Sequence, residues 1–212
     1  MQSTLNPALI PMCKDARMIP VLTIANIAHA VPLARALVAG GLPLLEITLR
    51  TPQALDAIRQ ISLDVEGAET GAGTVLTAQH GDQAIAAGAR FLVSPGSTAI
   101  LLDAAETWSV PLLPGVATAS ETMFALQRGY RFLKFFPAEP AGGVAALKAL
   151  AAPLADAQFC PTGGIGTHNF AAYLSCPNVV CVGGSWVVPQ ALIEAGQWSD
   201  ITRLARAAAT PG

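Results

Sequence analysis

Charge is scarce in this chain: 12 Lys and Arg face 14 Asp and Glu among 212 residues, 12% in all against roughly 25% in an average soluble domain. The net charge of -2 and the lack of any basic run exclude a nucleic-acid partner. Metal-ligand patterns are missing as well. Cys13, Cys160, Cys176 and Cys181 form no CxxC pair, and His29, His80 and His168 stand at no ligand spacing from Cys, Asp or Glu. The reading is therefore no metal, no cofactor and four buried, reduced thiols in a cytoplasmic protein. No GxSxG elbow, Walker sequence or dinucleotide fingerprint occurs. Although 52% of residues are hydrophobic, no unbroken apolar run is long enough to span a bilayer, since Pro161, Gly163, Gly164, Pro177 and Pro189 interrupt the longest charge-free stretch. The first residues lack the basic-then-apolar order of a signal peptide, so neither secretion nor a membrane is expected. So few charges cannot cover the surface of a chain this size, which predicts an oligomer interface.

What the chain does contain is a repeated unit. Gly41-Leu-Pro-Leu-Leu-Glu46, Gly88-Ala-Arg-Phe-Leu-Val93 and Gly129-Tyr-Arg-Phe-Leu-Lys134 each follow a helical run with a glycine and a short apolar strand. The spacing of these glycines leaves room for one more unit in each gap. Eight strands result: Met18 to Ile24, Leu44 to Leu49, Glu69 to Val75, Phe91 to Ser94, Pro111 to Val116, Phe132 to Phe136, Gln158 to Thr162 and Val179 to Gly183. Ala-rich helical segments lie between them, for example Ala28 to Ala39, Pro52 to Gln60 and Ala78 to Ala87. Apolar, non-alternating strands between helices indicate an α/β fold with a parallel sheet covered on both faces. Eight units predict a closed (β/α)8 TIM barrel over residues 17–212, with residues 1–16 as a short N-terminal helical cap; a doubly wound open sheet is the alternative. Neither a linker nor a composition shift marks a second domain.

Only three lysines exist, and Lys134 is the anomalous one, set in Phe132-Leu133-Lys134-Phe135-Phe136. A lysine there needs partners for its ammonium or gives up its proton. A neutral amine can attack a ketone to form a Schiff base. Glu46 holds the same place in Leu44-Leu45-Glu46-Ile47-Thr48, five residues past its glycine as Lys134 is past its own. The second and sixth strands of a barrel feed the same interior layers, so the two residues are expected to face each other; a purely structural ion pair is the competing reading. Alternation puts Thr48 and Arg50 on the Glu46 face, with Arg50 at the C-terminal strand end where such folds hold their sites. Gly163 and Gly164, after the seventh strand, and Gly184 with Ser185, after the eighth, form two glycine turns suited to cradling phosphate through backbone N–H groups, in a region with no basic side chain.

Leu45-Glu46-Ile47-Thr48-Leu49-Arg50-Thr51, Gly71-Ala72-Gly73-Thr74-Val75-Leu76, Lys134-Phe135-Phe136-Pro137-Ala138-Glu139 and Cys160-Pro161-Thr162-Gly163-Gly164-Ile165 together carry a resemblance. From about Arg17 to about Arg206 the chain resembles the 2-keto-3-deoxy-6-phosphogluconate (KDPG) aldolase family, whose members often also act on 4-hydroxy-2-ketoglutarate. The resemblance implies a class I aldolase of the Entner-Doudoroff pathway that forms pyruvate and glyceraldehyde 3-phosphate from a phosphorylated keto acid. It implies Lys134 as the Schiff-base lysine and Glu46 as the proton relay. Arg50, Thr74, Pro95, Phe136 and Thr162 match the pyruvate pocket, while Gly163, Gly164, Gly184 and Ser185 match the phosphate side. A homotrimer is implied too. Three alternatives stay open: an aldolase for the C4-epimeric galactonate-derived acid or for 4-hydroxy-2-ketoglutarate, a phosphate-binding barrel epimerase or decarboxylase that forms no imine, and a non-catalytic phospho-ligand binding barrel.

Overall fold

A computed structural model describes residues 9–210. Helix α1 (Leu9–Ala16) leads into β1 (Met18–Leu22), a 3-10 turn (Ile27–His29), α2 (Ala30–Ala39), β2 (Leu44–Thr48), α3 (Ala54–Asp64) and β3 (Glu69–Gly73). Next come α4 (Ala78–Ala86), β4 (Phe91–Val93), α5 (Ala99–Ala105), β5 (Leu112–Leu113), β6 (Gly115–Val116), α6 (Ala119–Gln127) and β7 (Phe132–Phe135). The chain ends with α7 (Gly143–Ala151), β8 (Gln158–Pro161), α8 (Phe170–Leu174), β9 (Val182–Gly184), α9 (Gln190–Glu194) and α10 (Trp198–Ala209).

Local chemistry accounts for the punctuation. Thr77, Thr98 and Thr118 open α4, α5 and α6 by accepting the amides of His80, Leu101 and Glu121, and Glu121 answers Thr118 in a capping box. Gly41, Gly88 and Gly129 end the preceding helices at φ 91, 102 and 90°, values an L side chain rarely adopts. After each glycine the next amide reaches back to an orphan helix carbonyl, Leu42 to Leu37, Ala89 to Ala84 and Tyr130 to Ala125. The chain is thereby turned into the strand that follows.

All strand pairs are parallel. Six strands pair in the order β5-β4-β3-β2-β1-β9, and three in the order β6-β7-β8. The order is sequential, and the last strand lies beside the first, so no reversal of the kind found at a doubly wound switch point occurs. Parallel bridges Phe159–Val179 and Thr162–Gly183 link the β8 and β9 regions. Two expectations need correction. The fifth strand is two pieces split at Pro114, whose missing N–H interrupts the ladder where Leu112–Leu113 pairs with β4 and Gly115–Val116 with β7. The last strand begins at Val182 and not at Val179, because the chain changes partner there: Val180 donates to Phe159, while Val182 donates to Arg17 beside β1. Similarly, the helical segment expected from Ala28 begins as the 3-10 turn that holds His29, with α2 proper from Ala30.

Strand alternation divides the core in two. Outward residues such as Leu45, Ile47, Ala72 and Leu133 pack against the helices. Inward residues Ile19, Leu44, Phe91, Val93, Leu113, Phe132, Cys160 and Cys181 form a second cluster, joined by Leu9, Cys13 and Ala16 of α1. All four cysteines are free and buried. Burial, aided by the Cys13 and Cys160 neighbours, pushes the Cys181 thiol well up. Two residues farther along the same inward rows stand Glu46 and Lys134. An apolar floor therefore lies beneath the polar layer.

Candidate active site

Lys134 and Glu46 are 5% and 2% exposed, and Lys134 Nζ donates to Glu46 Oε1 at 3.0 Å. Either charge alone at such depth would cost several kcal/mol, so each justifies the other. The same ammonium lies 5.3 Å from the centroid of the Phe136 ring, a cation–π distance. Glu46 reaches this position because the adjacent strand β3 has no side chain at Gly73, where a Cβ would fall 2.2 Å from Glu46 Oε1. Thr48, one inward step along, donates to the Leu22 carbonyl at 2.9 Å and meets Thr23, tying the upper end of β2 to β1.

The other expected site residues stand at or just past the C-terminal ends of parallel strands, Gly184 as the last residue of β9, and so share one end of the sheet. Arg50 is exposed and its Nε donates to Thr74 Oγ1 at 3.2 Å. Thr74 has φ 60°, an uncommon conformation for a β-branched residue, which aims its hydroxyl at Arg50. Phe136 lies across from Gly163, with 3.4 Å between its Cε2 and a Cβ position there. Thr162 is buried, and its Oγ1 fills the space above Gly183, 2.3 Å from where a Cβ would stand. The carbonyl of Pro95 packs on Gly115 in the same way. Among the described residues no hydrogen bond or ion pair joins Pro95, Gly184 or Ser185 to Lys134 or Glu46.

The two glycine turns differ in build. Gly163 and Gly164 have φ 105 and 79°, so both need to be glycine on conformational grounds. Gly184 needs to be glycine for packing: a Cβ would fall 2.0 Å from Cζ3 of Trp186. Ser185 follows it, exposed. Sequence reasoning missed the space at Gly73, for which no local signal exists, and the contacts of Glu139 and Asn169 with the first turn. Asn169, three residues past Gly166 and accepting its amide, is a recognisable turn-capping pattern.

One buried amine hydrogen-bonded to one buried acid, with an arginine at the strand ends, can form an imine and move a proton. Comparison with known proteins agrees: residues 9–204 match the family described as KDPG and KHG aldolase. The chain belongs to this family. A 2-dehydro-3-deoxy-phosphogluconate aldolase of Pseudomonas aeruginosa is 52% identical over 197 residues, covering 93% of this chain and 90% of that one. The KHG/KDPG aldolase of Escherichia coli K12 is 50% identical over 190 residues, 90% of this chain and 89% of its own. The fold matches the KDPG aldolase of Legionella pneumophila, captured with pyruvate as a covalent carbinolamine, at a TM-score of 0.92 and 46% identity, covering 95% of this chain and 98% of that one. The KDPG aldolase fold thus includes the α/β arrangement with parallel strands described above.

Proposed function

We infer that the chain is a class I aldolase that cleaves 2-keto-3-deoxy-6-phosphogluconate to pyruvate and glyceraldehyde 3-phosphate in the Entner-Doudoroff pathway. The observation that carries this reading is the 3.0 Å contact between the buried Lys134 amine and the buried Glu46 carboxylate. Lys134, as the free amine, attacks the C2 carbonyl; the carbinolamine loses water to give a protonated imine. Glu46 takes the C4 hydroxyl proton, directly or through water, as the C3–C4 bond breaks. The aldehyde leaves, and the bonding electrons pass to the imine, giving an enamine. Protonation at C3 and hydrolysis release pyruvate and restore the amine.

In this reading Arg50 binds the substrate carboxylate, and Thr74, Pro95, Phe136 and Thr162 shape the pyruvate pocket. Gly163, Gly164, Gly184 and Ser185 receive the phosphate. The sequential strand order, the β9–β1 pairing and the β8–β9 bridges support a closed (β/α)8 barrel as one domain over residues 17–212. The buried Leu9, Cys13 and Ala16 of α1 support residues 1–16 as its cap, although residues 1–8 lie outside the described structure. Low charge and the exposed Leu63, Leu76, Ile100 and Met123 support an interface between subunits, which the family resemblance makes that of a homotrimer. Among the described residues no helix is long and apolar enough to cross a membrane; the four free, buried cysteines support a cytoplasmic enzyme.

Incubation with pyruvate and borohydride is expected to leave a permanent adduct on Lys134, found by peptide mapping. A label on Lys14 or Lys148, or none, overturns the imine mechanism and favours the non-imine epimerase or decarboxylase reading. The Lys134–Glu46 pair would serve equally for the C4 epimer or for 4-hydroxy-2-ketoglutarate, an activity carried in the Escherichia coli relative's name. Relative rates on the three substrates decide among them.

A further inference from the structure

In the turn after β8, Thr162 and Ile165 are buried at either side, but Gly163 and Gly164 between them have no side chain to hold their backbone in shape. Their neighbours do. The Thr162 and Gly163 carbonyls accept the amides of Ala138 and Glu139 at 2.8 and 3.1 Å. Asn169 closes the far side, donating to the Gly164 carbonyl at 3.1 Å and accepting the Gly166 amide at 2.9 Å. The stem of Glu139 lies over Gly164, with its Cγ 2.6 Å from where a Cβ would be. Finally, the Tyr173 hydroxyl of α8 donates to Glu139 Oε1.

Glu139 therefore spans the turn, held by its amide at Gly163 and by its carboxylate on the next helix. The Tyr173 ring is buried, and its hydroxyl loses this protein partner if Glu139 is removed. Burial, and next the Glu139 contact, push its phenol well up, which keeps it a donor throughout the neutral range. The contact also holds the carboxylate end of Glu139 at α8, so that the stem and not the charged end lies over Gly164.

We propose that the Tyr173–Glu139 hydrogen bond is a positioning brace that sets the Gly163–Gly164 turn to receive a phosphate group, and so favours phosphorylated over unphosphorylated keto acids. The inference rests on the aldolase reading above and on phosphate binding at this turn. The physical reason is that a site built from N–H groups alone binds by direction. Glycine dihedrals are the softest in the chain, so direction has to be imposed from outside.

The test compares 2-keto-3-deoxy-6-phosphogluconate with the same acid lacking phosphate, in the wild type and in Tyr173→Phe, Glu139→Ala and Glu139→Gln. Loss of the brace in Tyr173→Phe or Glu139→Ala should raise KM for the phosphorylated acid by about tenfold, the worth of one hydrogen bond. Turnover of the unphosphorylated acid and pyruvate trapping on Lys134 should stay as in the wild type. Glu139→Gln keeps an acceptor oxygen for Tyr173 and should restore most of the affinity. Inorganic phosphate should compete with the phosphorylated acid, more weakly in the two brace-lacking variants. Should Tyr173→Phe fail to fold, Glu139→Ala, at an exposed residue, carries the same comparison. Equal losses on both acids, or no change in KM, overturn the brace. Absence of competition by phosphate in the wild type overturns phosphate binding at the turn and the brace with it, whereas failed pyruvate trapping in the wild type overturns the aldolase reading itself.

Discussion

Glu46 occupies the space in which Gly73 would carry a side chain: a Cβ at Gly73 would stand 2.2 Å from Glu46 Oε1 and 2.6 Å from its Cγ. Register explains the meeting, since Glu46 pairs with Gly71 and Thr48 with Gly73 on adjacent parallel strands. Gly73→Ala should therefore push the carboxylate off the Lys134 amine. We expect turnover to drop at least tenfold, with overpacking costing about 1–3 kcal/mol of stability. Steady-state rates and urea unfolding test this together. Full activity in the variant would mean that the 3.0 Å contact is not needed for the reaction.

Glu46→Gln keeps the size of the side chain but removes the base. Turnover should fall by roughly 10²- to 10⁴-fold, the usual worth of a positioned general base. Trapping of pyruvate on Lys134 should weaken less, because water can serve part of that step. Near-normal turnover would remove Glu46 from the mechanism.

Thr74 sits at φ 60°, and its hydroxyl accepts Arg50 Nε. Backbone strain of this kind costs on the order of 1–3 kcal/mol and tends to persist where a site needs it. Thr74→Gly should raise the melting temperature by a few degrees, the gain being reduced by the added freedom of the unfolded chain. It should also raise KM for the keto acid by about tenfold through loss of the hydrogen bond to Arg50. A lower melting temperature would show that the Thr74 side chain stabilises the strand end more than the strain destabilises it.

Tyr130 is buried, and burial first, then the Glu106 charge, pushes its phenol from 10.0 up to about 12, with Arg128 opposing. Between those values the folded state keeps a proton that the unfolded state has lost. Stability is thus fully present below pH 10 and declines as pH rises toward 12. Urea midpoints followed across this window should fall, and Tyr130→Phe should fall less. Tyr173, Cys176 and Cys181, shifted in the same direction, contribute to the alkaline loss as well. Equal slopes in the two proteins would remove Tyr130 as a source of the alkaline loss.

Much of the molecule is written in short-range chemistry. The helix ends at Gly41, Gly88 and Gly129 need a left-handed residue, and the apolar runs after them could only be buried strands, so the repeated unit is readable along the chain. Alternation then puts Glu46 and Lys134 on inward rows, because period two is a property of the strand itself. Relations between strands were not readable in the same way. The break at Pro114 and the change of partner before Val182 depend on which neighbour each strand meets. Likewise, the vacancy at Gly73 and the hold of Tyr173 on Glu139 join residues far apart in sequence. Residue type and spacing alone determined which side chains face inward and which segments turn. Only the tertiary structure decided that a carboxylate and an amine 88 residues apart would meet at 3.0 Å, since that distance depends on strand register and on the absence of a single Cβ.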